Sequence, residues 1–265
     1  MKKRIVVGLV AGALLAATEF SGSAVAADMV EDPIAVEIIA PKNDWRFNAT
    51  FYGWLSGVNG DVGAKGLGPF SIDVTPREAI EDLDGALMAS FGAQNDQWMV
   101  LTDFMWTKIS TDKAIGPVGI DYSQTQITIQ GLLGYTLPIQ IEGLKLSATV
   151  GFRYQNLSAD LSAGPLYSPV WKSASGSEQW IDPTVGLYAH YEFNEKWFVN
   201  ALGDVGGFGV GSNLTWQAFG AVGYNWTKTI STSIGYRAIY EDYENGGFVY
   251  DTTQQGVFAG LGIHF

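Results

Sequence analysis

The chain of 265 residues contains no cysteine, so disulfides and cysteine catalysis are both excluded. It has two histidines, His190 and His264, and neither stands in an HExxH or GxSxG motif or in a metal-spaced cluster. From this inventory we expect no enzymatic activity, no metal and no cofactor. Charged residues make up only 16% of the chain, and they are lopsided: 15 Lys and Arg against 27 Asp and Glu, a formal net charge of −12. Such a balance repels nucleic acid and disfavours an anionic membrane surface. After Ala26 no apolar run is long enough for a transmembrane helix.

What the chain has instead is glycine, 33 residues, and aromatics, 13% of the total. Both follow a strand-like order that is clearest in Gly256-Val-Phe-Ala-Gly-Leu-Gly-Ile-His-Phe265. There Val257, Ala259, Leu261, Ile263 and Phe265 alternate with Gly256, Phe258, Gly260, Gly262 and His264, the period of a two-faced strand. One face is wholly apolar, as a strand facing lipid would be.

At the other end, Lys2, Lys3 and Arg4 precede an apolar stretch from Ile5 to Ala17, and Ala24-Val25-Ala26 offers a small-x-small cleavage site. Residues 1–26 read as a signal peptide. Without Lys2, Lys3, Arg4 and Glu19 the remainder carries 12 basic and 26 acidic groups. Residues 27–44, with two prolines and no clean period, read as a periplasmic leader, leaving 45–265 as a single domain.

Ten strand-like segments follow, over about 45–58, 85–95, 97–110, 121–136, 143–158, 178–193, 196–205, 213–226, 229–241 and 254–265. Short connections at 95–96, 138–142, 194–195 and 227–228 alternate with longer polar or glycine-rich ones at 59–84, 111–120, 159–177, 206–212 and 242–253. Short turns on one side and long loops on the other predict an all-β, transmembrane, antiparallel up-and-down barrel of ten strands, with eight or twelve as alternatives. The outward rows are apolar and end in aromatics, for example Leu214, Trp216, Ala218, Gly220, Val222, Tyr224 and Trp226. A soluble sandwich needs no such girdles. Thr75-Pro-Arg-Glu78 is a capping box with proline at the first helical position, which predicts one short helix over about 76–83 in the first extracellular loop. That helix would either fold over the mouth as a lid or cover apolar residues at the rim.

The complementary inward rows are polar or small, and six charges fall in one upper belt: Asp103, Arg153, Asp182, Asp204 and Arg237, with Glu241 above. In a closed space these would pair, since an unpaired buried charge is expensive. The belt is either a latch that fixes strand register or a selectivity constriction in a narrow pore. Gly203-Asp-Val-Gly-Gly-Phe-Gly-Val-Gly-Ser212 is not followed by a helix, so it reads as a tight strand connection and not as a dinucleotide site.

Together, Trp45-x-Phe-x-x-x-Phe-Tyr-Gly-Trp54, the 203–212 stretch, Gly235-Tyr-Arg237 and Gly260-Leu-Gly-Ile-His-Phe265 resemble the small porin-family or opacity-type surface barrels of Proteobacteria. The resemblance implies an outer-membrane location, contact with outer-membrane lipid and lipopolysaccharide, and reading of the last strand, ending at Phe265, by the barrel-insertion machinery. Two functions follow as expectations. One is a narrow porin-like passive channel for small solutes or ions. The other is a plugged structural or surface-interaction barrel of adhesin or surface-antigen type.

Overall fold

The computed structural model describes residues 45–64, 67–115, 118–165 and 172–265. The expected signal peptide and leader, 1–44, lie outside the described residues. Ten long strands form the barrel wall: β1 (Arg46–Ala64), β3 (Leu83–Gln94), β4 (Trp98–Ile115), β5 (Val118–Thr136), β6 (Leu144–Pro165), β7 (Lys172–Glu192), β8 (Trp197–Gly207), β9 (Leu214–Asn225), β10 (Ile230–Asn245) and β11 (Phe248–His264). An eleventh, β2 (Leu67–Val74), pairs only with β1, so it extends the first hairpin without entering the ring. All neighbours are antiparallel, and β11 pairs with β1 from Asn48↔His264 up to Gly63↔Val249, which closes the barrel. At the lower rim Phe47 and Phe265 exchange both backbone hydrogen bonds, each 3.0 Å.

Three of the four short turns share one device. Asn95, Asn194 and Thr227 each open a turn and use a side-chain oxygen to accept two backbone N–H groups, two and three residues on, at 2.7–3.1 Å. An Asx- or ST-type acceptor of this kind satisfies donors that the reversing chain would otherwise leave unpaired.

The other end differs from the expected run of long loops. Strands β4 and β5 continue to 115 and from 118, β6 and β7 to 165 and from 172, and β10 and β11 to 245 and from 248. The segment 59–84 is a hairpin arm plus the six-residue helix α1 (Pro76–Glu81), capped by Thr75 in the reciprocal capping box the sequence spelled out. These extensions were illegible because the outward rows turn polar above the belt, with Asn156, Ser158, Asp160 and Ser162 on β6 and Ser173, Ser175, Ser177 and Gln179 on β7. Facing water and not lipid, an outward row needs no apolar side chains.

Outward side chains are apolar and well exposed, including Val150 (56%), Phe51 (54%), Ile234 (63%) and Leu187 (50%). Aromatics mark the lower edge of this belt in contacting groups: Phe47, Phe91 and Phe265, Trp98 with Tyr135, and Trp197, Tyr224 and Trp226 in series. Trp216 and Tyr240 pair at the upper edge. Along the outward row of β9 the two edges are Trp216 and, one residue past the strand, Trp226. At roughly 3.3 Å per residue and a strand tilt of about 40°, that interval spans about 25 Å, the height of a lipid-facing band.

Depth along the wall can be tested directly. Val150→Arg, near mid-belt, should cost roughly 2–4 kcal/mol in unfolding from lipid vesicles, whereas Ser158→Arg on the same outward row above Tyr154 should cost at most about 1 kcal/mol. Equal costs at both positions would put the belt elsewhere.

Candidate functional site

Strand alternation turns half of each wall residue set into the lumen, and closure leaves those side chains only one another as partners. All six predicted belt residues lie there and are buried: Asp103, Arg153, Asp182, Asp204, Arg237 and Glu241. Two ion pairs form. Arg237 on β10 reaches Asp103 on β4 at 3.0 Å, nearly across the ring, and Arg153 on β6 meets Asp204 on β8 at 2.6 Å.

Each pair is completed by neutral groups. Tyr52 donates its hydroxyl proton to the Asp103 carboxylate (2.8 and 2.9 Å) and accepts from Arg237 Nη1 at 3.1 Å. The Arg237 guanidinium also lies 5.4 Å from the Trp54 ring centre, a cation–π contact. Arg153 Nη1 donates to Thr215 Oγ1 at 2.5 Å, and Gln130 Nε2 donates to Asp204 Oδ2 at 2.8 Å.

Gln217 joins the two halves. Its Oε1 accepts from Arg237 Nε (3.0 Å) and Nη2 (2.6 Å), while its Nε2 donates to Gln130 Oε1 (3.2 Å) and Asp204 Oδ2 (3.4 Å). The result is one hydrogen-bonded chain from Tyr52 through Asp103, Arg237, Gln217, Asp204 and Arg153 to Thr215. With Gln130 it ties together seven strands: β1, β4, β5, β6, β8, β9 and β10.

Two belt residues pair differently from expectation. Asp182 stands opposite Arg153 in register but accepts instead from the backbone N–H (2.6 Å) and hydroxyl (2.9 Å) of Ser212. It thereby holds the β8–β9 turn against β7. The turn needs glycine to come this close: a Cβ on Gly211 would sit 2.5 Å from Ile181 O and 2.7 Å from the Asp182 carboxylate. Backbone geometry explains the glycine-rich stretch, with positive φ at Gly207, Phe208 and Gly209. Glu241 joins neither arginine in a salt bridge; it lies beside Arg153, Asp182, Gln155 and Trp180, and its Oε1 has no hydrogen-bond partner among the described residues.

Aromatic layers bracket the network. Above it Trp180 stacks on Tyr243 with centroids 4.0 Å and planes 10° apart, packed with Tyr250 and Leu157. Gln254 donates across the same level to Gln126 at 2.9 Å. Below it Phe258 contacts both Tyr52 (4.8 Å) and Phe219 (5.0 Å). The histidines sit near the short-turn end, His190 bonded to Asn200 at 2.6 Å and His264 to Ser231 at 2.8 Å.

Sequence reading placed the charges in the lumen but missed Tyr52, Gln217 and Thr215 as their partners. Alternation contains the signal, since Gln217 and Thr215 interleave the apolar row of Trp216 and Ala218, and Tyr52 stands between Phe51 and Gly53. Who meets whom across the lumen depends on ring closure and stagger, which no local pattern specifies.

No family model and no curated protein matches the chain. Among solved structures, it is similar to the outer membrane protease OmpT from Escherichia coli at 9% identity, covering 84% of this chain and 98% of that one, with a TM-score of 0.51. The translocator domain of the autotransporter NalP from Neisseria meningitidis aligns at 14% identity over 83% and 88% (TM-score 0.49). Ail, the attachment invasion locus protein of Yersinia pestis, aligns at 13% identity over 84% and 99% (TM-score 0.40). At these identities the likeness is one of fold. The fold is that of a small outer-membrane β-barrel.

The central pair gives a thermodynamic test. Arg237→Ala leaves the Asp103 carboxylate facing only Tyr52, and removing one partner of a buried pair costs on the order of 3–5 kcal/mol. Unfolding in denaturant should show that loss, and adding Asp103→Asn should recover part of it. A fully additive double variant would mean the two side chains do not interact.

Proposed function

We propose that this barrel is plugged, and that it works as a structural or surface-interaction protein through its extracellular face. The observation that carries this reading is the hydrogen-bonded chain spanning the lumen from Tyr52 to Thr215, roofed by the Trp180–Tyr243 stack. A ten-stranded ring is narrow to begin with. The full burial of the Arg153 and Asp204 side chains at its centre supports a lumen closed to hydrated ions.

The extracellular side supports the same reading. Strand β6 continues from Tyr154 at the belt edge to Pro165, a rise of roughly 28 Å at the same pitch and tilt. Its partner β7 returns beside it, with serine pairs Ser158–Ser177 and Ser162–Ser173 hydrogen-bonded across the two strands at 2.9 Å. Strands β10 and β11 rise likewise to an acidic tip bearing Asp242, Glu244 and Asp251. Polar sheets held above the membrane suit contact with a partner outside the cell. The reading assigns no catalytic step, metal or cofactor. Its partners are outer-membrane lipid and lipopolysaccharide, with Phe265 at the end of the last strand as the mark read by the insertion machinery.

Planar-bilayer recording separates this from the porin-like alternative, which draws on the excess of carboxylates over guanidiniums in the lumen. The purified barrel should leave the membrane electrically silent. Steady, salt-dependent, cation-favouring single-channel steps would replace the plugged reading with a channel.

A further inference from the structure

Helix α1 lies against the outer wall of the barrel and not over its mouth. Between them runs a groove of about 460 Å³ lined by Leu55, Pro76, Ile80, Tyr236 and Val257, with Arg77 and Glu81 at its rim. The wall side is flat because Leu55, Val257 and Tyr236 are in register on the adjacent strands β1, β11 and β10. The chain reaches this position by crossing β1 at Gly57, where a Cβ would sit 2.6 Å from Val74 O and 3.0 Å from Pro76 Cδ. Any side chain at 57 would push the helix off the wall.

We propose that this groove holds one acyl chain of an outer-leaflet lipid. Leu55, Ile80, Tyr236 and Val257 remain 45–50% exposed, so the helix does not close down on the wall it faces. The groove is continuous with the lipid-facing belt: Leu55 follows Phe47, Phe51 and Gly53 on one outward row, and Tyr236 lies below Tyr240 of the upper girdle. Lipid tails therefore already surround its opening, and an apolar cleft open to lipid is filled by a tail in preference to water. The Arg77–Glu81 pair, 2.9 Å apart and exposed, borders the groove. Glu78, Glu81 and Asp82 make the polar side of this segment acidic, so the site selects a chain and not an anionic headgroup. The inference rests on the membrane location alone and is independent of whether the lumen is closed.

The absence of cysteine makes the test clean. Full-length Ile80→Cys and, as a reference outside the groove on the outward face of the neighbouring strand β9, Val222→Cys would each be labelled with a bimane fluorophore and inserted in phosphatidylcholine vesicles containing a minor fraction of lipid brominated along its acyl chains. Quenching at position 80 should exceed that at 222 at least twofold, and should fall to the reference level when the groove is filled by Leu55→Phe with Val257→Phe. Heat-modifiable migration on a gel confirms that each variant is folded. Equal quenching at the two positions, or a preference that survives filling of the groove, overturns the proposal.

Discussion

Closure of β11 onto β1 is the constraint on which everything else rests. In a hydrocarbon layer a backbone N–H or C=O has no water to turn to, so a sheet is tolerated only when it has no edge. The sixteen-step register between β1 and β11 removes that edge across the whole belt and beyond it, into the water above. At the lower rim the reciprocal Phe47–Phe265 hydrogen bonds finish the seam, and the stacked Phe47, Phe91 and Phe265 rings cover it on the lipid side. Having fixed the strand number at ten, closure also fixes the diameter, and the diameter decides what the interior can be.

Within that diameter, arginine and glutamine are long enough to meet partners from walls four strands away. Arg237 to Asp103, Gln217 to Gln130 and Gln254 to Gln126 all cross the lumen this way. Small inward residues make room: Gly235, Gly256, Gly260 and Gly262 line the β10–β11 wall, so the space in front of them is left to side chains from other strands. The interior is thus packed with hydrogen bonds where a soluble barrel would use leucine and valine. An apolar core would have required apolar residues on both faces of every strand, a pattern with little to distinguish inside from outside.

The sequence disclosed the fold wherever a strand separates lipid from lumen, because there the outward row is a long apolar run closed by aromatics. Thus the lower turns at Asn95, Asn194 and Thr227 and the row Trp226 to Leu214 were legible, while the upper halves of β6 and β7 were not. Strand β2 was lost for the same reason: its Gly68-Pro69 interrupts any run, and the Gly60 and Gly63 of its partner blur the alternation. The site was legible as a set of inward charges. Its wiring was not, since Asp182, adjacent to Arg153 in register, gives its oxygens to Ser212, whereas Asp103 pairs with an arginine 134 residues away.

That long-range wiring bears on how the register is chosen. Slipping β10 by one residue against β9 and β11 would carry Arg237 to the lipid side and bring an apolar neighbour, Tyr236 or Ala238, into the lumen. The slip would break the contacts with Asp103, Gln217, Tyr52 and Trp54 at once, and it would place a guanidinium near mid-belt, where arginine is most costly. Backbone ladders alone barely distinguish one register from the next, because each slip re-forms nearly all of its hydrogen bonds. The apolar rows discriminate through the lipid, and the charged network discriminates through the lumen, in the same direction. A buried ion pair of this kind need not add much net stability over an apolar replacement to be useful, because its effect lies in the gap it opens between the correct pairing and its nearest rivals.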